Sequence, residues 1–224
     1  MTENTNPTAG PGPLYPKING PYRRHTEPGP LRNKLIEGEW TSPELEATAG
    51  LPWIWTEKID GSSGRVIWDG FRVEFRGRTD NAQWYPGVLE MLTETFPEEI
   101  FEQVFGETPA ILFGEFTSPK IQKVGRFYGP EPKFTLFDVL VGNVWLLRSN
   151  VEEVAESLGI SIVPVIHRGT VLEAIELVRA GVDSRTSVEP FTAEGLVGVT
   201  EAGLLDRRGR RLIVKVKSCD FLES

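Results

Sequence analysis

Between Trp53 and Gly77 the chain carries three short runs in close succession, WIWTEK, RVIWD and FRVEFRG. Each alternates and is rich in Val, Ile, Trp and Phe, the pattern of half-buried strands rather than helices. Asp69-Gly70, between the second and third runs, is a two-residue hairpin signal that calls for antiparallel neighbours. AILFGEF and KFTLFDVLV follow as strands, the second almost wholly apolar and so expected inside a sheet. SIVPVI reads as a strand near an edge, because Pro164 has no N–H to give. AEGLVGVT and RLIVKVK close the chain as two strands joined by a basic turn. Helical spacing is confined to a few places. It runs over Pro86–Phe105 with a break at Pro97, and through VEEVAESLG and TVLEAIELVRAG, each ended by glycine. TSPELEATAG adds a helical turn capped by Ser42, with Pro43 at its first position. Hairpins outnumber strand–helix–strand units, so the expected fold class is α+β, with mainly antiparallel β-sheets and flanking helices.

The 224 residues are 39% hydrophobic and 25% charged, an ordinary globular balance. Residues 1–13 are polar and rich in Pro and Gly, which predicts a disordered tail. Residues 14–50 are irregular but hold Tyr15, Ile18, Tyr22, Leu31, Leu35, Ile36 and Trp40, enough to predict an arm packed on the core. Residues 51–224 form the main domain, and no break in composition marks a second one. No apolar run approaches the roughly 18–20 residues of a membrane span, and the N-terminus lacks the basic and apolar regions of a signal peptide. With one cysteine, Cys219, no internal disulfide is possible, and a cytoplasmic protein is expected.

A net charge of −8 argues against coating nucleic acid through overall charge. Two local basic clusters remain. One is Arg23, Arg24, Arg32 and Lys34; the other is Arg207, Arg208, Arg210, Arg211, Lys215 and Lys217. His25 and His167 stand far apart without a second cysteine, so a zinc site is not expected. Neither a serine-nucleophile elbow nor a Gly-rich phosphate loop occurs.

What does occur is an ordered series of short strand-borne motifs: EKIDG at Glu57–Gly61, GRTD at Gly77–Asp80, LFGEF at Leu112–Phe116, FTLFDV at Phe134–Val139, EGLV at Glu194–Val197 and KVK at Lys215–Lys217. Alternation puts Lys215 and Lys217 on one side of their strand and Val214 and Val216 on the other. Two lysines side by side in an acidic chain suit phosphate. A partly desolvated amine near other cations loses proton affinity, which makes a lysine such as Lys58 nucleophilic. Glu115 and Glu194 stand among apolar neighbours, where a carboxylate makes sense facing a polar ligand or a divalent ion.

The order and content of these motifs resemble the covalent nucleotidyltransferase superfamily, and most nearly ATP-dependent RNA ligases of the phage and RNA-editing type. YPKING and GEWTSPELE upstream of Lys58 share that resemblance. The fold it implies is the nucleotidyltransferase (ATP-grasp-like) domain of ligases, over residues 51–224; with seven residues left after Lys217, the OB-fold or helical domain that follows it in such enzymes is not expected. The cofactors it implies are ATP and Mg2+ or Mn2+, and the partners are broken or nicked RNA ends met by a monomer. By this resemblance Lys58 attacks the α-phosphorus of ATP, Glu57 lies beside the adenine, and Phe137 stacks on it. Arg78 and Glu115 meet the ribose or the RNA end, with Glu115 also a candidate for the metal. Glu194 holds the metal, and Lys215 and Lys217 grip the α-phosphate. Where such RNA ligases carry Asn, five positions after the lysine, this chain has Ser63, with Arg65 two residues later; both are candidates for ribose or phosphate recognition. Arg207, Arg208, Arg210 and Arg211 are candidates for the nucleic-acid backbone. A DNA ligase, a capping-type guanylyltransferase and a non-catalytic binding module of the same fold remain open alternatives.

Overall fold

The computed structural model describes residues 12–80, 84 and 87–221. All but the last two residues of the expected tail therefore lie outside the described residues, as does Pro86 at the start of the first helical segment. The chain passes back and forth between two compact units. One comprises Met1–Tyr15, Ser62–Thr117 and Pro132–Ile162, and the other Pro16–Gly61, Ser118–Glu131 and Val163–Ser224. A division of this kind leaves no mark on composition, because neither unit is a continuous stretch.

The unit that ends at Ser224 opens with a hairpin, β1 (Tyr22–Arg24) and β2 (Leu35–Trp40), and helix α1 (Pro43–Thr48). Ser42 caps α1 by accepting from the Leu45 N–H at 3.1 Å, and Pro43 takes the first turn, as its sequence predicts. Strand β3 (Trp53–Lys58) is the first of a four-stranded sheet. Its other members are β10 (Val165–Gly169), β11 (Gly195–Thr200) and β12 (Ile213–Lys217), in the order β10-β3-β11-β12 and antiparallel throughout. Helix α5 (Val171–Ala180) lays Val171, Ala174, Ile175 and Val178 against Trp53, Trp55, Leu196, Val214 and Val216. A capping box between Thr170 and Glu173 fixes its start. The arm contributes Tyr22, Leu45 and Ala49 to the same core, whereas Leu31 is exposed on the hairpin loop instead of packing as its apolar side chain suggests.

The second unit is built on β4 (Ser62–Trp68), β5 (Val73–Gly77), β6 (Ala110–Thr117), β7 (Lys133–Val141) and β8 (Val144–Trp145). They run in the order β5-β4-β6-β7-β8, with β9 (Ser161–Ile162) parallel to β7. Helices α2 (Val88–Thr95) and α3 (Glu98–Phe105) are separated at Pro97, as expected, and α4 (Arg148–Leu158) ends at Gly159 in the left-handed region. Two local readings change. The Asp69-Gly70 hairpin spans four residues, because the Asp69 carboxylate accepts from the N–H groups of Phe71 (2.8 Å) and Arg72 (2.7 Å) and so builds its own turn. SIVPVI is not one strand but two, β9 and β10, one in each unit. Pro164 interrupts it, and its carbonyl accepts from the Glu57 N–H at 3.1 Å.

Candidate active site

Lys58 is the last residue of β3, and the sheet register explains what surrounds it. Across β3, β11 and β12, Lys58 pairs with Gly195 and Gly195 with Lys217; two positions along, Thr56 meets Val197 and Val197 meets Lys215. Directly opposed residues share a face. Lys58, Lys215 and Lys217 therefore stand on one face of the sheet, while Trp55, Leu196, Val214 and Val216 fill the core beneath the other. Their alternation is the one the KVK motif predicts.

Glu194 sits between the lysines. One carboxylate oxygen accepts from Lys58 Nζ, and the other accepts from Lys217 Nζ at 2.8 Å. The glycine of EGLV makes this possible. Gly195 has φ +148°, and a Cβ there would lie 2.0 Å from the Val216 carbonyl oxygen. Only a residue without a side chain lets β11 approach β12 so closely at this point. Burial works to raise the Glu194 carboxyl, but Lys58 and Lys217 outweigh it and hold it below the usual carboxylate range. Lys217 is held up by its hydrogen bond to Glu194. Lys215 is pushed down, first by burial and then by the charges of Lys58 and Lys217. Two of the three amines thus share one carboxylate, and Lys215 stands on the same sheet face without a direct ion pair to it.

Asp60 also belongs here. It entered the sequence reading only as a member of the EKIDG motif, two residues past Lys58. Burial raises its carboxyl, as does the charge of Glu194, against the pull of Lys58 and Lys217. Its N–H donates to the Tyr128 hydroxyl at 3.0 Å. Tyr128 is buried, and that burial pushes its phenol up to about 12. On the far side of β12 the arm supplies a further cation. Arg24 pairs with Asp220 at 2.7 Å, and the Lys215 N–H donates to the Asn19 carbonyl at 3.0 Å. No pattern in the sequence singles out Tyr128 or Asn19, because their roles arise from segments far away in the chain.

Glu57, adjacent to Lys58 in the chain, belongs to the opposite face. Strand alternation turns its side chain to the face opposite Lys58, where it is 2% exposed. Its carboxylate accepts from the hydroxyls of Ser184 and Thr186 (2.7 Å for the latter) and from the Arg185 N–H at 2.8 Å. The remaining candidates divide as follows. Ser63, on β4, stands directly opposite Glu115 on β6 in the other unit, and Phe137 is the unpaired extra residue of a bulge in β7. The Phe137 ring meets Tyr15 edge-on at 5.0 Å, and the Tyr15 hydroxyl donates to Asp138 at 2.8 Å. Arg65 is buried in that sheet, with its guanidinium on Asp80 and on the carbonyls of Gly12 and Pro13. Arg78 is exposed just past β5. The basic turn is folded by Asp206, which accepts from the N–H groups of Arg208 (2.8 Å) and Arg210 (2.9 Å), while Arg207 reaches Glu44 at 3.3 Å. Arg207, Arg208, Arg210 and Arg211 lie beyond the Thr200 and Ile213 ends of their strands. The length of β11, roughly 20 Å at 3.3 Å per residue, separates them from Glu194.

Among the described residues no group of three or more His, Cys, Asp or Glu side chains is arranged to hold a metal ion. Among those same residues no helix is long and apolar enough to cross a membrane.

A sequence model of the family described as RNA ligase matches residues 51–217. No curated protein matches at a significant level. Among solved structures, Naegleria gruberi RNA ligase with PPi is similar at a TM-score of 0.62 and 20% identity, over 80% of this chain and 53% of that one. A mutant of the same ligase with ATP and Mn reaches a TM-score of 0.64 at 17% identity, over 93% of this chain and 61% of that one. The chain thus spans little more than half the length of the ligase it matches, and at these identities the likeness is one of fold. The matched region begins just before β3 and ends on Lys217, so it encloses every lysine and carboxylate of the site; the chain belongs to the RNA ligase family.

Proposed function

We propose that the protein is an ATP-dependent RNA ligase that works through an AMP adduct on Lys58. The observation that carries this reading is the Lys58–Glu194–Lys217 arrangement with Lys215 on the same sheet face. Lys58 Nζ attacks the α-phosphorus of ATP, pyrophosphate leaves, and a phosphoramidate bond holds AMP on the protein. Lys215 and Lys217 offset the charge that builds on the α-phosphate, the electrostatic work on which phosphoryl transfer depends. Before attack Lys58 has to leave Glu194 and give up its proton, and Glu194 keeps the site neutral enough for the amine to sit there at rest.

Glu194 is also the residue to hold a divalent ion. It is a carboxylate kept ionised by its neighbours, with Asp60 close enough to influence it. Released from the lysines, these two carboxylates would supply protein oxygens for Mg2+, whose remaining ligands would be phosphate oxygens and water. Bound there, Mg2+ or Mn2+ supplies charge neutralisation on the phosphates. AMP then passes to an RNA 5′-phosphate, and a 3′-hydroxyl displaces it to seal the strand. Ser63, Arg78, Glu115 and Phe137 are assigned to the nucleotide and the RNA end. Arg65, engaged by Asp80, is assigned to supporting the sheet that bears them. The Arg207–Arg211 turn is assigned to phosphodiester contacts away from the reacting ends. We further propose a monomer acting on RNA ends in the cytoplasm, in keeping with a single cysteine.

The test is incubation with ATP or GTP labelled at the α-phosphate, with Mg2+ or Mn2+, followed by denaturing electrophoresis. Label from ATP on the wild-type protein and none on Lys58→Ala is the expected result. Transfer of that label to nicked or broken RNA in a chase completes the reading. An unlabelled wild-type protein would overturn it.

A further inference from the structure

Lys58 is flanked in sequence by two residues that are each tied to a distant part of the same unit. On one side is the Glu57 carboxylate, held on the buried face by Ser184, Arg185 and Thr186. The Ser184 hydroxyl that donates to it accepts in turn from the N–H groups of Thr186 (3.3 Å) and Ser187 (3.1 Å). On the other side, the Asp60 N–H donates to Tyr128, and Gln122 Nε2 donates to the Gly61 carbonyl at 3.4 Å. The two anchors are themselves one assembly. The Val188 N–H donates to the Phe127 carbonyl at 2.8 Å, Phe127 stacks on Phe191 at 5.1 Å, and Tyr128 meets Phe191 at 6.0 Å. The Ser184 N–H donates to the Phe191 carbonyl at 2.8 Å, which closes the loop.

A buried carboxylate of this kind contributes little net stability compared with an apolar residue of the same shape, so packing alone does not explain it. What it does achieve is a fixed backbone on both sides of one lysine. We propose that Glu57 and Tyr128 are positioning residues that hold the Lys58 backbone from its two flanks through the 184–191 segment. The inference rests on the ligase reading for its consequence and on the hydrogen bonds above for its geometry. A lysine side chain has four rotatable bonds, so only a fixed Cα keeps Nζ within the 3–3.5 Å approach that attack on phosphorus requires. The structure thus assigns Glu57 an anchoring role on the face away from Lys58, in place of contact with a base.

The test compares Tyr128→Phe, which removes only the acceptor for Asp60, and Glu57→Gln, which keeps the shape and alters the acceptors. The first readout is the single-turnover rate of Lys58 adenylylation as a function of ATP concentration. At saturating ATP the rate is expected to fall about fivefold in Tyr128→Phe, the scale of one hydrogen bond. It is expected to fall toward about a hundredfold in Glu57→Gln, the scale of an ångström of misplacement. The half-saturating ATP concentration should stay within about twofold in both, since a positioning role places neither side chain on the nucleotide. The second readout needs no nucleotide: the rate at which acetic anhydride acylates Lys58 at fixed pH, read by peptide mass spectrometry against the exposed Lys34. That ratio is expected to change in both variants.

A Glu57→Gln protein with an unchanged rate and a raised half-saturating ATP concentration would make Glu57 a nucleotide contact and overturn the inference. Unchanged adenylylation in both variants would overturn it as well. Should the wild-type protein take no label from ATP, the ligase reading fails alone, and the acylation ratio decides: altered, it supports positioning; unaltered, it overturns it. If Glu57→Gln fails to fold, Thr186→Val removes one of the same donors and is judged by the same two readouts.

Discussion

Replacing Glu194 with Gln isolates the electrostatics of the site from its chemistry. In the wild-type protein the carboxylate, 18% exposed, is shared by Lys58 at 23% and Lys217 at 29% exposure, with Lys215 beside them. The amide of the Glu194→Gln variant still accepts one hydrogen bond, but Lys58 and Lys217 lose the carboxylate they share, with Asp60 left to offset part of their charge. Removing one partner of a fully buried pair costs about 3–5 kcal/mol. Partial exposure of all three groups screens this, and about 2 kcal/mol at pH 7 is the expected loss. With a urea slope of about 2 kcal/mol/M that is a drop of about 1 M in the denaturation midpoint.

The pH dependence gives the sharper check. Lys58 and Lys217 depress the folded-state pKa of Glu194 below its ordinary 4.5. The stabilisation is therefore complete above that value, and it is lost as pH falls through the folded pKa, once the folded carboxyl also takes up its proton. Urea midpoints for both proteins between pH 3 and pH 7 should show a gap that is constant from pH 7 to about 5 and closes below about 4.5. A variant as stable as wild type at pH 7 would refute this account, as would a gap that stays constant down to pH 3.

At the alkaline end, Tyr128 carries the opposite sign. Its pKa is raised by burial from 10.0 to about 12, so its contribution is complete below pH 10 and is lost as pH rises toward 12. Two pKa units correspond to about 2–3 kcal/mol, so wild type should lose that much more stability than Tyr128→Phe between pH 9 and 12, read from denaturant midpoints. Gly195→Ala places a Cβ 2.0 Å from a backbone oxygen at φ +148°, and should cost about 2–4 kcal/mol and separate Glu194 from Lys217. A midpoint within error of wild type would contradict the close approach of β11 to β12. Ser63→Asn, at the position where related RNA ligases carry Asn, should speed transfer of AMP to RNA and strand sealing more than self-adenylylation. Chase assays that show every step slower would contradict the assignment of that position.

Much of this protein is readable from the order of its residues, because strand alternation, proline and glycine act locally. The break at Pro97, the Ser42–Pro43 cap and the opposite facing of Lys215 and Val216 each depend on only a few neighbours in the chain. The six motifs in sequence likewise carried the resemblance to RNA ligases, and Lys58, Glu194, Lys215 and Lys217 do meet on one sheet. The same alternation that faces the lysines together sends Glu57 to the other side from Lys58, because the two are adjacent in the strand.

What only the tertiary structure decided is pairing across long separations. Glu194 reaches Lys58 because β11 lies between β3 and β12, an order no local signal encodes. Tyr128, Ser184 and Thr186 reach the residues around Lys58 only when loops remote in sequence close around β3. The basic turn, adjacent to KVK in the sequence, ends a strand's length away because an antiparallel pair carries its connection to the opposite end. Sequence determined which side chains the site could use; the register and order of four strands determined which of them meet.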